Sequence, residues 1–196
     1  MYKTIKLGPF KTSKIELMDL LKAWLAISVA FGIVLGGLKF DADFLFVLLL
    51  SAVTVGVGFL FHEIAHKLMA QRYGCFAEFR ANNQMLMMAI LFSFLGFVFA
   101  APGAVMIGGQ ITKRENGIIS VAGPAMNLIL SLLFLGFGIL FPSLMLFASY
   151  GFRINAWLAV FNMIPAWNFD GKKILRWNKT VYAAVLIIGL ILAFVI

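Results

Sequence analysis

Phe44 to His66 reads FLFVLLLSAVTVGVGFLFHEIAH, a run with no charged residue until it ends in His62-Glu63-Ile64-Ala65-His66. About 20 apolar residues in a helix match the hydrocarbon thickness of a bilayer, so the run is read as a membrane span. Histidines four positions apart share one face of a helix. In H-E-x-x-H that pair can hold a zinc ion while the intervening glutamate serves as general base. The chain has 196 residues and two histidines, and both are in this motif.

The rest of the composition agrees with a membrane setting. Hydrophobic residues make up 63% of the chain and charged ones 12%, with mean hydropathy +1.01. A soluble domain is closer to half apolar and a quarter charged, so the chain is read as an integral membrane protein. The net charge of +8 could suggest nucleic acid, but basic loops between apolar spans are what positive-inside topology produces, and no nucleic-acid partner is expected. The single cysteine, Cys75, excludes an intrachain disulfide and is read as a buried thiol. The lysine-rich start is followed by a long apolar run and further spans, which argues for an uncleaved first span over a signal peptide.

Working outward, residues 1–21 form a basic segment with a possible amphipathic helix over Ile15–Leu21 at the membrane surface. Spans are expected at Ala23–Leu38, from Phe44 into the H-E-x-x-H, at Ile118–Phe141, at Ile154–Phe169 with an interruption at Pro165, and at Thr180–Ile196. Of the 16 Lys and Arg, only Lys39 and Arg153 fall outside four groups: those before the first span, those at 67–80, Lys113-Arg114, and those at 172–179. Placing the four groups on one side puts the N-terminus and the active-site end at the cytoplasm. The uncharged run Ala81–Thr112 must then leave that side and return. A helix over Met85–Phe99 and an extended return through Gly103–Thr112 do this, since ten extended residues reach about 33 Å. Extended backbone at membrane depth is tolerated only inside protein or along a watery cavity, and its edge could dock a peptide.

The fold class is therefore all-α and polytopic, with about 5–6 transmembrane helices and a short membrane-embedded extended or β segment between the second span and the span carrying Gly123-Pro124. One membrane domain covers 1–196: an interfacial N-terminal segment at 1–21, a catalytic core at 44–171, and a last transmembrane helix at 180–196.

A catalytic zinc takes three protein ligands and leaves one position for water. His62 and His66 give two, and the third must be a carboxylate, Cys75 or a donor of another kind. Among the eight carboxylates, Glu16 and Asp19 lie in the N-terminal segment, Asp41 and Asp43 at the opposite interface, and Glu63 is reserved as base. Glu78, Glu115 and Asp170 remain. Asp170 is favoured because it ends an apolar span just after Asn162, Pro165 and Asn168, where the backbone must break. It could instead cap the next helix or pair with Lys172 or Lys173. Asn127 is read as a helix-packing amide, and Ser51, Thr54 and Ser120 as packing hydroxyls.

Three motifs together, His62-Glu63-x-x-His66, Gly123-Pro124-x-x-Asn127 and Asn162-x-x-Pro165-x-x-x-x-Asp170-Gly171, resemble the signatures of the site-2 protease family of intramembrane zinc metalloproteases, in the same order. The resemblance covers about residues 60–171. It implies Asp170 as third zinc ligand and Asn162 as a residue that helps bind substrate or the oxyanion. The helix Met85–Phe99 departs from the short connection expected there. The implied activity is hydrolysis of peptide bonds in transmembrane substrates, with one Zn2+, Glu63 as base and the lipid bilayer as surroundings. Two alternatives stand beside it: a membrane zincin of the prenyl-protein or heat-shock type, which would take a glutamate on a later helix as ligand, and a metal-binding scaffold that does not cut. The sequence carries no signal for an oligomeric state.

Overall fold

The computed structural model describes residues 4–7, 10–37, 41–98 and 102–194. In chain order the elements are β1 (Thr4–Leu7), β2 (Phe10–Ser13), α1 (Lys14–Gly36), α2 (Ala42–Ser51), a π-helical turn (Ala52–Gly56), α3 (Val57–Arg72), β3 (Phe76–Ala81), α4 (Asn83–Ser93), β4 (Gly103–Gly108), α5 (Lys113–Leu140), a short 3-10 turn (Pro142–Leu144), α6 (Met145–Asn162), α7 (Asp170–Trp177) and α8 (Lys179–Phe194). Among the described residues, four helical stretches are long and apolar enough to cross a membrane: Lys14–Gly36, Ala42–Arg72, Lys113–Leu140 and Pro142–Asn162. Their outward residues are apolar, with Leu49 57% and Leu133 62% exposed. That is the reverse of a water-facing surface, and the chain is an all-helical membrane protein carrying small sheets.

Residues 1–60 and 76–108 make one compact unit. β1 and β2 form an antiparallel hairpin, and β3 pairs antiparallel with β4 from Phe76 opposite Gly108 to Ala81 opposite Gly103. Helix α1 begins at Lys14 because the Ser13 hydroxyl accepts from the Glu16 N–H at 3.2 Å, a side-chain cap that satisfies an otherwise orphaned donor. The expected surface helix and first span are therefore one continuous helix, whose expected end at Leu38 lies outside the described residues. Buried Glu16 also accepts the Thr12 hydroxyl at 2.6 Å and the Phe79 backbone N–H at 2.8 Å, tying β2, α1 and β3 together. In the π turn the helical ladder widens, and the Trp24 indole N–H donates to the Ala52 carbonyl at 3.0 Å.

Two expectations for this unit are corrected. The helix expected over Met85–Phe99 spans Asn83–Ser93, 11 residues or about 16 Å of rise, roughly half the hydrocarbon thickness; Phe99 lies outside the described residues. The extended segment is also shorter than Gly103–Thr112. It ends at Gly108, because Gly109 takes φ 140° and Thr112 is already the cap of α5. Its partner β3 was not anticipated.

Residues 61–75 and 109–196 make the second unit. Helix α5 starts at Lys113, earlier than the expected Ile118, since Thr112 and Glu115 cap it reciprocally, the arrangement that settles two orphan donors at once. Pro124 is thus well inside the helix, not in its first turn. The next span starts at Met145 and stops at Asn162, so the broken segment expected within it follows it instead. Helix α8 covers Lys179–Phe194, 16 residues, and its expected end at Ile196 lies outside the described residues. The core of this unit gathers Leu128, Phe152, Ala156, Ala159 and Leu192 from α5, α6 and α8. The Ser131 hydroxyl donates to the Phe152 carbonyl at 2.8 Å, stitching α5 to α6.

Glu16→Ala removes the acceptor of a buried backbone N–H, a change worth about 1–3 kcal/mol. Thermal unfolding in detergent should show that loss, and Glu16→Gln, which keeps an acceptor, should recover part of it. A loss within experimental error for the alanine variant would refute the role given to Glu16.

Candidate metal centre

Helix α3 places His62 and His66 one turn apart, both buried, with their Nε2 atoms 3.0 Å apart. Asp170, the first residue of α7, is buried too, and its Oδ2 lies 3.3 Å from His62 Nε2 and 3.0 Å from His66 Nε2. The expected pair and the favoured third candidate thus converge on one point, and the same three residues form a group able to hold a metal ion. Ligand atoms placed tetrahedrally at about 2.0–2.1 Å from zinc are about 3.3 Å apart, close to the separations found.

Proton accounting sharpens the fit. His66 Nδ1 is 2.7 Å from the Ile119 carbonyl. A carbonyl only accepts, so Nδ1 must carry the proton, and in the neutral imidazole the lone pair is left on Nε2. His62 Nδ1 is 2.5 Å from Asn127 Oδ1 and donates in the same way. With both rings neutral, two lone pairs and a carboxylate oxygen face one another, an arrangement that a metal cation satisfies. The Oδ2 of Asp170 faces both imidazoles. Its other oxygen, Oδ1, is 3.6 Å from Lys173 Nζ, so the helix-local pairing considered for Asp170 exists alongside the ligand geometry.

Helix α5 can come this close because of Gly123. A Cβ there would run into the imidazoles of both His62 and His66. Gly171 has the same character, since a Cβ would meet the backbone of Met163. The chain after α6 folds tightly back on itself, and Trp167 takes φ 44° within it, a left-handed value uncommon outside glycine.

Glu63 is half-buried beside His62, within electrostatic range of His62, Asp170 and Lys173. Asn162 is not among the converging side chains; its amide Nδ2 donates to the Leu158 carbonyl at 2.9 Å. The other third-ligand candidates are engaged elsewhere. Glu78 pairs with Arg80, Glu115 caps α5, and Cys75 Sγ lies 4.0 Å from the Tyr73 carbonyl. The reading of the sequence missed Asn155, which accepts from Asn127, and the contact of Asn127 with His62. Two asparagines on apolar spans were the available signal, because a polar side chain within a span requires a partner.

No protein-family model matches the chain, and no solved structure does. A protein of Methanocaldococcus jannaschii, named putative zinc metalloprotease MJ0611, is 38% identical over 181 residues, covering 90% of this chain and 91% of the relative.

Gly123→Ala should abolish high-affinity metal binding while leaving helix content by circular dichroism intact, because the added methyl displaces both imidazoles. Wild-type metal content in that variant, measured by elemental analysis of purified protein, would contradict the packing described.

Proposed function

Because the chain belongs to the zinc metalloprotease family of its Methanocaldococcus relative, we propose that it is a site-2-type intramembrane endopeptidase that hydrolyses peptide bonds of transmembrane substrates. Its cofactor is a zinc ion, and His62, His66 and Asp170 are the proposed ligands. The observation that carries this reading is the convergence of those three buried side chains in a chain whose described residues include four helices able to cross a membrane. When bound, zinc supplies a Lewis acid and brings the pKa of a coordinated water toward about 7.

The chain's own residues supply the rest. Glu63 takes a proton from the attacking water and delivers it to the nitrogen of the leaving amine, the work of a general base that later serves as acid. Lys173 holds Asp170 Oδ1, leaving Oδ2 to face the histidines. Asn162, released from the Leu158 carbonyl, is an additional donor for the oxyanion. A helical substrate hides its carbonyls in its own hydrogen bonds, so it must unwind before attack. In the first unit β4 is an edge of a two-stranded sheet, and such an edge pairs with extended peptide. Residues 44–171 are the proposed catalytic core, and the grouping of the basic residues favours a cytoplasmic N-terminus and active-site end. Five or six spans follow if α4 or α8, both shorter apolar helices, enters the bilayer.

The glutamate-ligand zincins are the second reading. Glu115 is the one glutamate after Glu78, and its engagement in the α5 cap disfavours them. The presence of Glu63 at the base position argues against a scaffold that does not cut.

Glu63→Gln should keep zinc and lose about 10²–10⁴-fold in cleavage of a transmembrane peptide, the usual contribution of acid–base catalysis. Asp170→Ala should lose the metal itself. Cleavage by the Glu63 variant at the wild-type rate would overturn the mechanism, and zinc retained by Asp170→Ala would favour the second reading.

A further inference from the structure

The two histidines are oriented by different means. His66 Nδ1 donates to a backbone carbonyl, Ile119, which cannot exchange donor for acceptor. His62 Nδ1 donates to a side-chain amide, Asn127. An amide can turn over and present its NH2 where its oxygen was. Such a turn would set a donor against the His62 Nδ1–H and push the ring out of place.

A restraint against it lies on α6. Asn155 is fully buried, and its Nδ2 donates to the Gly151 carbonyl at 2.9 Å. That carbonyl only accepts, so Asn155 Oδ1 must point the other way, toward Asn127. There it accepts from Asn127 Nδ2 at 3.1 Å. With Nδ2 so engaged, Asn127 has only its oxygen to offer His62. The bonds in the chain Gly151, Asn155, Asn127, His62 thus run in one consistent direction from a backbone carbonyl four residues before Asn155.

We propose that Asn155 is a positioning residue of the metal site: through Asn127 it holds the His62 ring so that its Nε2 lone pair faces Asp170 and His66. The inference rests on His62 being a zinc ligand and not on which substrate is cut. Hydrogen-bond partners of ligand histidines fix ring orientation, and losing them usually costs about 10–100-fold in metal affinity. Asn155→Leu removes the acceptor that holds Asn127 Nδ2. Asn155→Asp, kept neutral by burial, retains an O–H for the Gly151 carbonyl and an acceptor for Asn127 Nδ2, and serves as the conservative partner.

The experiment uses the zinc-loaded full chain with 15N-labelled histidine, in which the two histidines give two ring Nδ1–H signals. In the wild type both should be downfield and protected from exchange. In Asn155→Leu the His62 signal should move or exchange while that of His66 stays, and zinc affinity in chelator competition should drop about 10–100-fold. Asn155→Asp should keep both signals and near-wild-type affinity. Wild-type signals and affinity in Asn155→Leu would overturn the proposal, and so would loss of the His62 signal in Asn155→Asp. If the leucine variant loses both signals through unfolding, the aspartate variant decides alone. A wild type that binds zinc with both signals in place but cuts no peptide would leave the relay standing and remove the protease reading. A wild type that holds no zinc would remove the ligand assignment and the relay with it.

Discussion

Each imidazole must give its Nδ1 proton to an acceptor inside a helical bundle, so that the lone pair on Nε2 is left for a cation. Water is scarce there, and an unmet polar group costs several kcal/mol, so protein must supply the acceptors. Both come from α5. Ile119, Gly123 and Asn127 are spaced by four and share one face of that helix. The two outer positions accept from His66 and His62, and the middle one is empty of side chain so that the helix can lie flush against the rings. Pro124, next to this glycine, has no N–H for the Ser120 carbonyl, which interrupts the ladder in the turn where Ile119 faces the site.

The third ligand needs the opposite device. The histidines ride on a regular helix, whereas Asp170 must be delivered from a second direction, and that requires the chain to stop being helical after Asn162. The stretch 163–169 does this in seven residues, closing against the backbone at Gly171 and passing through a left-handed residue at Trp167. Asp170 then opens α7, where the helix dipole favours a carboxylate, and Lys173 one turn later takes its second oxygen.

These demands explain which parts could be read in the sequence. His62, Glu63 and His66 were legible because two histidines in an apolar chain leave few other meanings. Asp170 was legible as a favoured candidate because Asn162, Pro165 and Asn168 announce a break at the end of an apolar span. The helix boundaries were less so. Ser13-x-x-Glu16 and Thr112-x-x-Glu115 both carry the spacing of a capping box; the first opens a helix that runs unbroken from the expected surface segment into the first span, and the second starts α5 at Lys113, before the expected Ile118. Strand β3 was missed because Phe76–Ala81 includes Glu78 and Arg80 and depends on β4, far along the chain, for its hydrogen bonds.

Asn127 shows why packing and function are poor alternatives inside a bilayer. A buried amide on a span must be fully partnered, and partnering fixes both the neighbouring helix and the direction of every bond in the chain of donors. The bond from Asn127 to Asn155 joins α5 to α6 as packing would require. The same bond leaves Asn127 with only an oxygen to turn toward His62. Reading Asn127 as a packing amide was therefore incomplete: in a low-dielectric bundle, the hydrogen bonds that hold two helices together also decide which nitrogen of a ligand histidine carries the proton.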